Sequence, residues 1–302
     1  MQYRWTDCEL SGPMEAGFED RAVEPSQELR AVPDDVLCYP RPDLWRTRVW
    51  SMLSDIVTED VRAAFVLDPP EYIVSDDLSW LNAIVERVTG LDVDMKSLVA
   101  DRLEREYRAF RAAHGTRTDD LGRFYRDGLR LLRPEDVEAV ARRLFASGAF
   151  ENVTEERFAA AIADLGARDE KGGRGGRLYF CADERNLFTT QGRCGHYLVY
   201  GSEYLFNLGI RLVSRSDTKR ILKSIGRPTL FVCDIPMSRL RSSTLEAFGG
   251  MMIEYLFCEL VNDPDCHALS PGAGSALNLT QDLPAGEIVG HYHPDSVFDP
   301  LQ

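Results

Sequence analysis

Two short stretches carry side chains whose types and spacing suit the handling of a sugar-linked aromatic ring. The first is Ala113-His114-Gly115-Thr116-Arg117, followed by Phe124-Tyr125 and Gly128-Leu129. The second is Gly176-Arg177-Leu178-Tyr179-Phe180-Cys181-Ala182-Asp183, followed by His196-Tyr197 and Tyr200-Gly201-Ser202-Glu203-Tyr204. An imidazole can hydrogen-bond a sugar hydroxyl, a role open to His114. A glycine lets backbone N–H and C=O groups approach a flat carboxamide, which suits Gly115. An aromatic ring can stack on a planar base, as Tyr179 could on one side and Tyr197, Tyr200 or Tyr204 on the other. Each residue also has a plainer reading. His114 can be a core or capping histidine, and Tyr179 an alternating strand aromatic. The three tyrosines stand at helical spacing and can simply pack.

The ordered pair of motifs resembles the ADP-ribosyltransferase superfamily, in particular its His-Tyr branch, which includes the poly(ADP-ribose) polymerases. That family has a strand ending in His-Gly-Thr, then a short helix and a Gly-Leu turn. Later come a Gly-x-x-Tyr-Phe-x-x-Asp strand and a helix supplying another aromatic. The resemblance covers residues 107–295, with a longer separation between the motifs. It implies NAD as the substrate held by the site, bound by His114, Gly115, Thr116, Tyr179, Phe180, Tyr200 and Ser202. His114, Tyr179 and Glu203 are the candidate catalytic residues. The late strand, where the family often places a glutamate, reads Gly274-Ser275-Ala276-Leu277-Asn278-Leu279-Thr280-Gln281 and contains no acid. Only Glu203 or Glu287 could substitute, if the fold brought one in. The reaction implied is transfer of one ADP-ribose unit from NAD to a protein or nucleic-acid acceptor with release of nicotinamide, or hydrolysis of NAD.

Two other classes remain open. A non-catalytic binder of NAD or ADP-ribose fits the missing acid. An NAD-dependent RNA 2'-phosphotransferase-like enzyme would need cations to grip an RNA phosphate, for which Arg108, Arg111 and Arg117 are candidates.

The elements that must position these residues follow from the pattern. Residues 1–40, rich in Pro, Glu and Asp, read as a poorly structured leader. Residues 41–106 read as a helical N-terminal region, with Asp43, Ser79 and Asp94 as helix starts. The resemblance implies that residues 107–302 are an ADP-ribosyltransferase-like domain, with a helical insertion over 134–168. Within it, strands are expected near 107–113, 177–182, 228–234, 276–279 and 287–291. Helices are expected at 195–212 and 243–259, the latter with a weak point at Gly249-Gly250. Helices first, then mixed strands and helices, predict an α+β fold with a helical N-terminal part, and the resemblance implies an ADP-ribosyltransferase-like split mixed sheet. Lys171 to Gly176 reads as a flexible basic loop, with Arg174 and Arg177 as candidates for the NAD pyrophosphate. It lacks the P-loop spacing.

Composition sets the outer limits. The 302 residues carry 35 Lys+Arg against 49 Asp+Glu, a formal charge of −14, which repels phosphate backbones globally. No apolar run nears the roughly 20 residues of a membrane helix, so no membrane partner and a cytoplasmic location are expected. The 7 cysteines include no C-x-x-C pair and read as free thiols of a reducing compartment. His291 and His293, two apart on a strand, share a face and could ligate a metal with Cys266 or His267. The plainer reading, a closing strand, is preferred, and no metal is expected.

Overall fold

A computed structural model describes residues 27–146, 150, 152–168, 175–263, 269 and 276–301. The architecture is α+β, with a mixed open sheet and several helices. The described chain begins with a short helix α1 (Gln27–Arg30) and a two-residue strand β1 (Val36–Leu37). Val36, Leu37, Cys38 and Tyr39 are buried, so the expected leader ends before them. The reason is pairing: β1 lies parallel to a later strand, and two apolar residues are too few to show a period in sequence.

Four helices follow: α2 (Pro42–Leu53), α3 (Glu59–Leu67), α4 (Ser79–Thr89) and α5 (Met95–Glu106). Asp94 caps α5 by accepting from the amides of Lys96 and Ser97. Asp43 and Ser79 are not caps. Asp43 sits in the first turn behind Pro42, where it pairs with Arg41, and Ser79 is the first residue of its helix. Strand β2 (Ala109–Thr118) then runs buried along its whole length. Past it lie α6 (Leu121–Asp127), capped by Asp120, and α7 (Pro134–Phe145) and α8 (Glu155–Arg168), which occupy the expected insertion.

Strand β3 (Leu178–Cys181) leads through a 3-10 turn, Glu184–Leu187, to α9 (His196–Tyr200) and α10 (Glu203–Leu212). One continuous helix was expected there. Gly201, at φ 78, breaks it, and Ser202 restarts it as the α10 cap. Helix α11 (Arg215–Lys223), capped by Ser214, precedes β4 (Arg227–Pro236). The long helix α12 (Ser242–Val261) and strands β5 (Ala276–Leu279) and β6 (Ile288–Tyr292) complete the described elements. The sheet order is β5-β3-β2-β4-β6, with β1 beside β2.

The chain divides into two compact units. The second comprises Val32–Ala112 and Asp234–Leu277, so it unites the N-terminal helices with α12, which the sequence reading put in the C-terminal domain. Their union is a packing effect. A side chain on Gly249 would meet Val99 Cγ1 at 2.8 Å, and one on Gly250 would meet the Ser75 carbonyl at 2.3 Å. The two glycines therefore admit close neighbours to α12 and do not weaken it. Phe65, Trp80 and Phe257 form an aromatic cluster in this unit, with Phe65 and Phe257 at 4.7 Å. Arg111 and Asp234 form a buried bidentate pair at 2.8 and 3.0 Å.

The first unit comprises Met1–Ala31, Ala113–Cys233 and Asn278–Gln302. One of its apolar clusters joins α7, α8 and α10 through Phe145, Phe158, Leu205, Phe206 and Leu208. The insertion is thus part of this unit's core. A second cluster joins Ala113, Cys181, Leu187, Leu198, Leu230 and Val232.

Candidate functional site

Antiparallel pairing of β2 with β3 sets Ala113 opposite Cys181. The same register sets His114 opposite Phe180, Gly115 opposite Tyr179 and Thr116 opposite Leu178. Alternation then divides the residues between two faces. His114, Thr116, Leu178 and Phe180 share one face, and the His114 and Phe180 rings lie 5.7 Å apart, edge to face. Gly115 and Tyr179 belong to the other. The two motifs are therefore neighbours, and the His114 and Tyr179 side chains leave the sheet on opposite faces.

His114 is 8% exposed, and its Nδ1 lies 2.8 Å from the Tyr179 carbonyl oxygen. A carbonyl only accepts, so Nδ1 carries the proton and donates. Nε2 is left as an acceptor, suited to a hydroxyl. Burial pushes the imidazole pKa down to about 4, against a smaller opposing effect of the Tyr179 carbonyl. The ring is therefore neutral near pH 7.

His114 lines a small cleft with Thr116, Arg123 and Arg130 as its other polar groups. Leu178, Phe124 and Leu129 supply apolar walls. Its enclosed part measures about 10 Å³, room for roughly one water, so the cleft is a lip that a ligand would lean on. Arg123 and Arg130 both face Asp127, at 3.9 and 3.0 Å. Two guanidinium groups at one edge are the donor chemistry that a phosphate would take. Neither arginine was singled out in sequence. Their seven-residue spacing across the short helix and its Gly-Leu exit was the available signal.

The cleft edge is fixed by Gly128, at φ 78. A side chain there would meet the Leu283 carbonyl oxygen at 2.1 Å. Leu129 and Leu283 exchange backbone hydrogen bonds at 2.9 and 2.7 Å, holding the exit from α6 in place.

The other expected site residues have different neighbours. A side chain on Gly115 would meet Leu187 Cδ2 at 3.0 Å and Leu198 at 3.3 Å, so two leucines cover the glycine on that face. Ser202 is buried and accepts from the Leu205 amide as a helix cap. Tyr200 packs on Phe206 at 4.7 Å and donates to Asp299, and burial pushes its hydroxyl pKa up. Glu203 faces His196 Nε2 at 3.0 Å. Tyr204 donates to Glu138 at 3.0 Å, and Tyr197 lies on the His196 ring at 4.2 Å. This set is mainly a packing and capping surface. None of the residues lining the cleft is acidic.

The three arginines considered for RNA phosphate are engaged within the protein. Arg108 pairs with Asp35 and Arg111 with Asp234. Arg117 donates to the carbonyls of Leu198, Lys223, Ile225 and Gly226. On the late strand, Asn278 is half-buried and Gln281 is exposed, and Glu287 ends a 3-10 turn, Ala285–Glu287. Ser275, Arg174, Cys266 and His267 lie outside the described residues. The His291 and His293 rings do share a face, 5.3 Å apart. Nδ1 of His291 meets the Tyr125 hydroxyl at 2.7 Å, and Nδ1 of His293 meets the Pro228 carbonyl at 2.9 Å. Among the described residues no group of three or more potential metal ligands occurs. No helix among them is long and apolar enough to cross a membrane.

No protein-family model matches this chain, and comparisons with curated proteins and with solved structures give no match either.

Proposed function

We propose that the chain binds NAD at the His114 cleft and transfers a single ADP-ribose unit to a macromolecular acceptor, with water as a competing acceptor. The observation that carries this reading is the β2–β3 pairing, which makes two motifs 65 residues apart in sequence direct neighbours. The chemistry of the edge supports it. A neutral imidazole held as an acceptor suits a ribose hydroxyl, and two arginines suit a pyrophosphate. The whole ligand stays on the His114 face, because the side toward which Gly115 opens, filled by Leu187 and Leu198, is the opposite face of the sheet. Among the described residues that line the cleft none is acidic, and Asp127 behind them is held by Arg123 and Arg130, so no carboxylate is aimed at an acceptor hydroxyl. Transfer therefore depends on an acceptor that is already nucleophilic.

A second reading, a non-catalytic module binding NAD or ADP-ribose, is favoured by two of these features: the cleft without an acid and the leucines beside Gly115. One experiment separates the two. The purified chain is incubated with NAD labelled in its adenylate half, and covalent label, free nicotinamide and bound nucleotide are each measured. Nicotinamide release that is lost in His114→Ala supports transfer or hydrolysis. Binding without release supports the module. Neither binding nor release refutes both.

A further inference from the structure

Asp127 is the last residue of α6, at the helix end where the backbone dipole disfavours negative charge, so helix stability does not account for it. Its Oδ2 atom is shared by two guanidinium groups, lying 3.0 Å from Arg130 and 3.9 Å from Arg123. Nitrogens that reach one oxygen at those distances stand within about 7 Å of each other, a span that one phosphate group can bridge. Both arginines line the His114 cleft. The backbone on either side of them is fixed. The Arg123 amide donates to the capping carboxylate of Asp120 at 3.1 Å. Beyond Gly128, the Leu131 amide donates to Asp282 Oδ1 at 2.7 Å, and Leu129 exchanges two bonds with Leu283. Of the three side chains Asp127 is the most exposed, at 34% against 14% for Arg123. The guanidinium groups are thus rooted at set positions, and the carboxylate between them is the part that can swing into solvent.

We propose that Asp127 is a built-in competitor that sets the affinity and selectivity of this edge for phosphate. It holds within the chain the two guanidinium groups that an incoming phosphate must take. The inference deepens the NAD reading, since it concerns the arginines assigned there to the pyrophosphate, and it rests only on the phosphate part of that reading. The physics is a balance of charges. A ligand anion either draws the guanidinium groups off Asp127 or shares them with it and meets its repulsion. A singly charged anion exchanges one charge for another and gains little. A pyrophosphate carries more charge and engages both arginines at once, so it gains on exchange. Asp127 therefore turns a pair of arginines that would take any anion into a site selective for multiply charged phosphate. Selectivity of this kind comes from a repulsive element as much as from the attractive ones.

The test is calorimetric binding of inorganic pyrophosphate, of acetate and of NAD to the full chain at one fixed salt concentration. Wild type is compared with Asp127→Asn, which keeps an oxygen acceptor for the arginines and removes the charge. Asp127→Ser makes the same comparison should the asparagine variant fold poorly. Pyrophosphate is expected to bind roughly 3- to 10-fold more tightly to the variant, the scale of two partly exposed ion pairs. Acetate should gain by a larger factor than pyrophosphate, so selectivity narrows. A residue that merely shaped the edge would lose affinity on substitution, so a gain is specific to competition. Adding Arg130→Ala to Asp127→Asn should abolish the gain. Pyrophosphate bound equally or more weakly by the folded variant, or bound by neither protein, overturns the proposal. The NAD arm separates the two readings. A gain for pyrophosphate with NAD bound by neither protein upholds the competitor and refutes the NAD site. NAD bound by wild type with no gain in the variant refutes the competitor alone.

Discussion

Acid should weaken the fold through His114 in a way that a neutral substitute abolishes. The folded imidazole has its pKa pushed down from 6.5 to about 4 by burial, so the folded state resists a proton that the unfolded chain accepts. The sign follows from proton counts: stability from this group is fully present above pH 6.5 and falls as the pH drops from there toward about 4. Below that, both states are protonated and the loss stops. At about 1.4 kcal/mol per pH unit, the gap from 6.5 to about 4 corresponds to about 3 kcal/mol. Between pH 7 and pH 4.5 the loss should come to about 2–2.5 kcal/mol. Carboxylates also titrate near the lower limit, so the informative quantity is the difference between two proteins. Urea denaturation of the wild type and of His114→Gln at pH 7, 5.5 and 4.5 supplies it. The wild type should lose about 2–2.5 kcal/mol more than the variant across that range. Parallel losses, or an NMR titration placing the ring near 6.5, would refute the burial argument and, with it, the neutral acceptor assigned to the cleft.

Gly128→Ala should cost about 2–3 kcal/mol in thermal or urea unfolding, because it strains a left-handed φ and drives a methyl into the Leu283 carbonyl. An unchanged midpoint would show that the 282–285 turn can move away. Arg111→Ala should cost about 3–5 kcal/mol by leaving Asp234 buried and unpaired, whereas the double change Arg111→Met with Asp234→Leu should recover most of that. A double variant as unstable as the single one would contradict the ion-pair account. Products from labelled NAD, separated on a gel, should show single units only, since a positioned base worth about 10²–10⁴-fold is missing from the cleft. A ladder of long chains would mean that a glutamate reaches the site during turnover.

Local signals carried the helices well. Asp94 caps a helix where the sequence predicts a start, because capping depends only on nearby residues, whereas Asp43 and Ser79 lie just inside theirs. The strands at 178–181, 276–279 and 288–292 were visible as short apolar runs. What was not legible depends on partners distant in sequence. Val36 and Leu37 form a strand only because Ala109 and Phe110 lie beside them. Helix α11 is so polar overall, with five of its nine residues Arg, Lys or Ser, that its narrow apolar stripe around Leu222 does not mark it in sequence. In the site, His114 and Thr116 were legible as residue types, but their face depends on the register with β3. For Ser202, the capping bond to the Leu205 amide accounts for the residue without any ligand. Arg123 and Arg130 became candidates only when the turn after α6 placed them at the same edge as His114.

The way the units interleave along the chain has a consequence for synthesis on the ribosome. The chain enters the second unit at Val32, leaves it after Ala112, re-enters at Asp234 and leaves again after Leu277. Neither unit is therefore a contiguous stretch, and neither can be expressed by simple truncation. The second unit is complete only with residues up to Leu277, and the first still requires the segment from Asn278 onward. During that interval β4, buried across its middle residues in the finished protein, lacks its β6 partner. At about 5–20 residues per second, the wait lasts on the order of seconds. An apolar strand edge exposed for that long is a natural binding target for a chaperone.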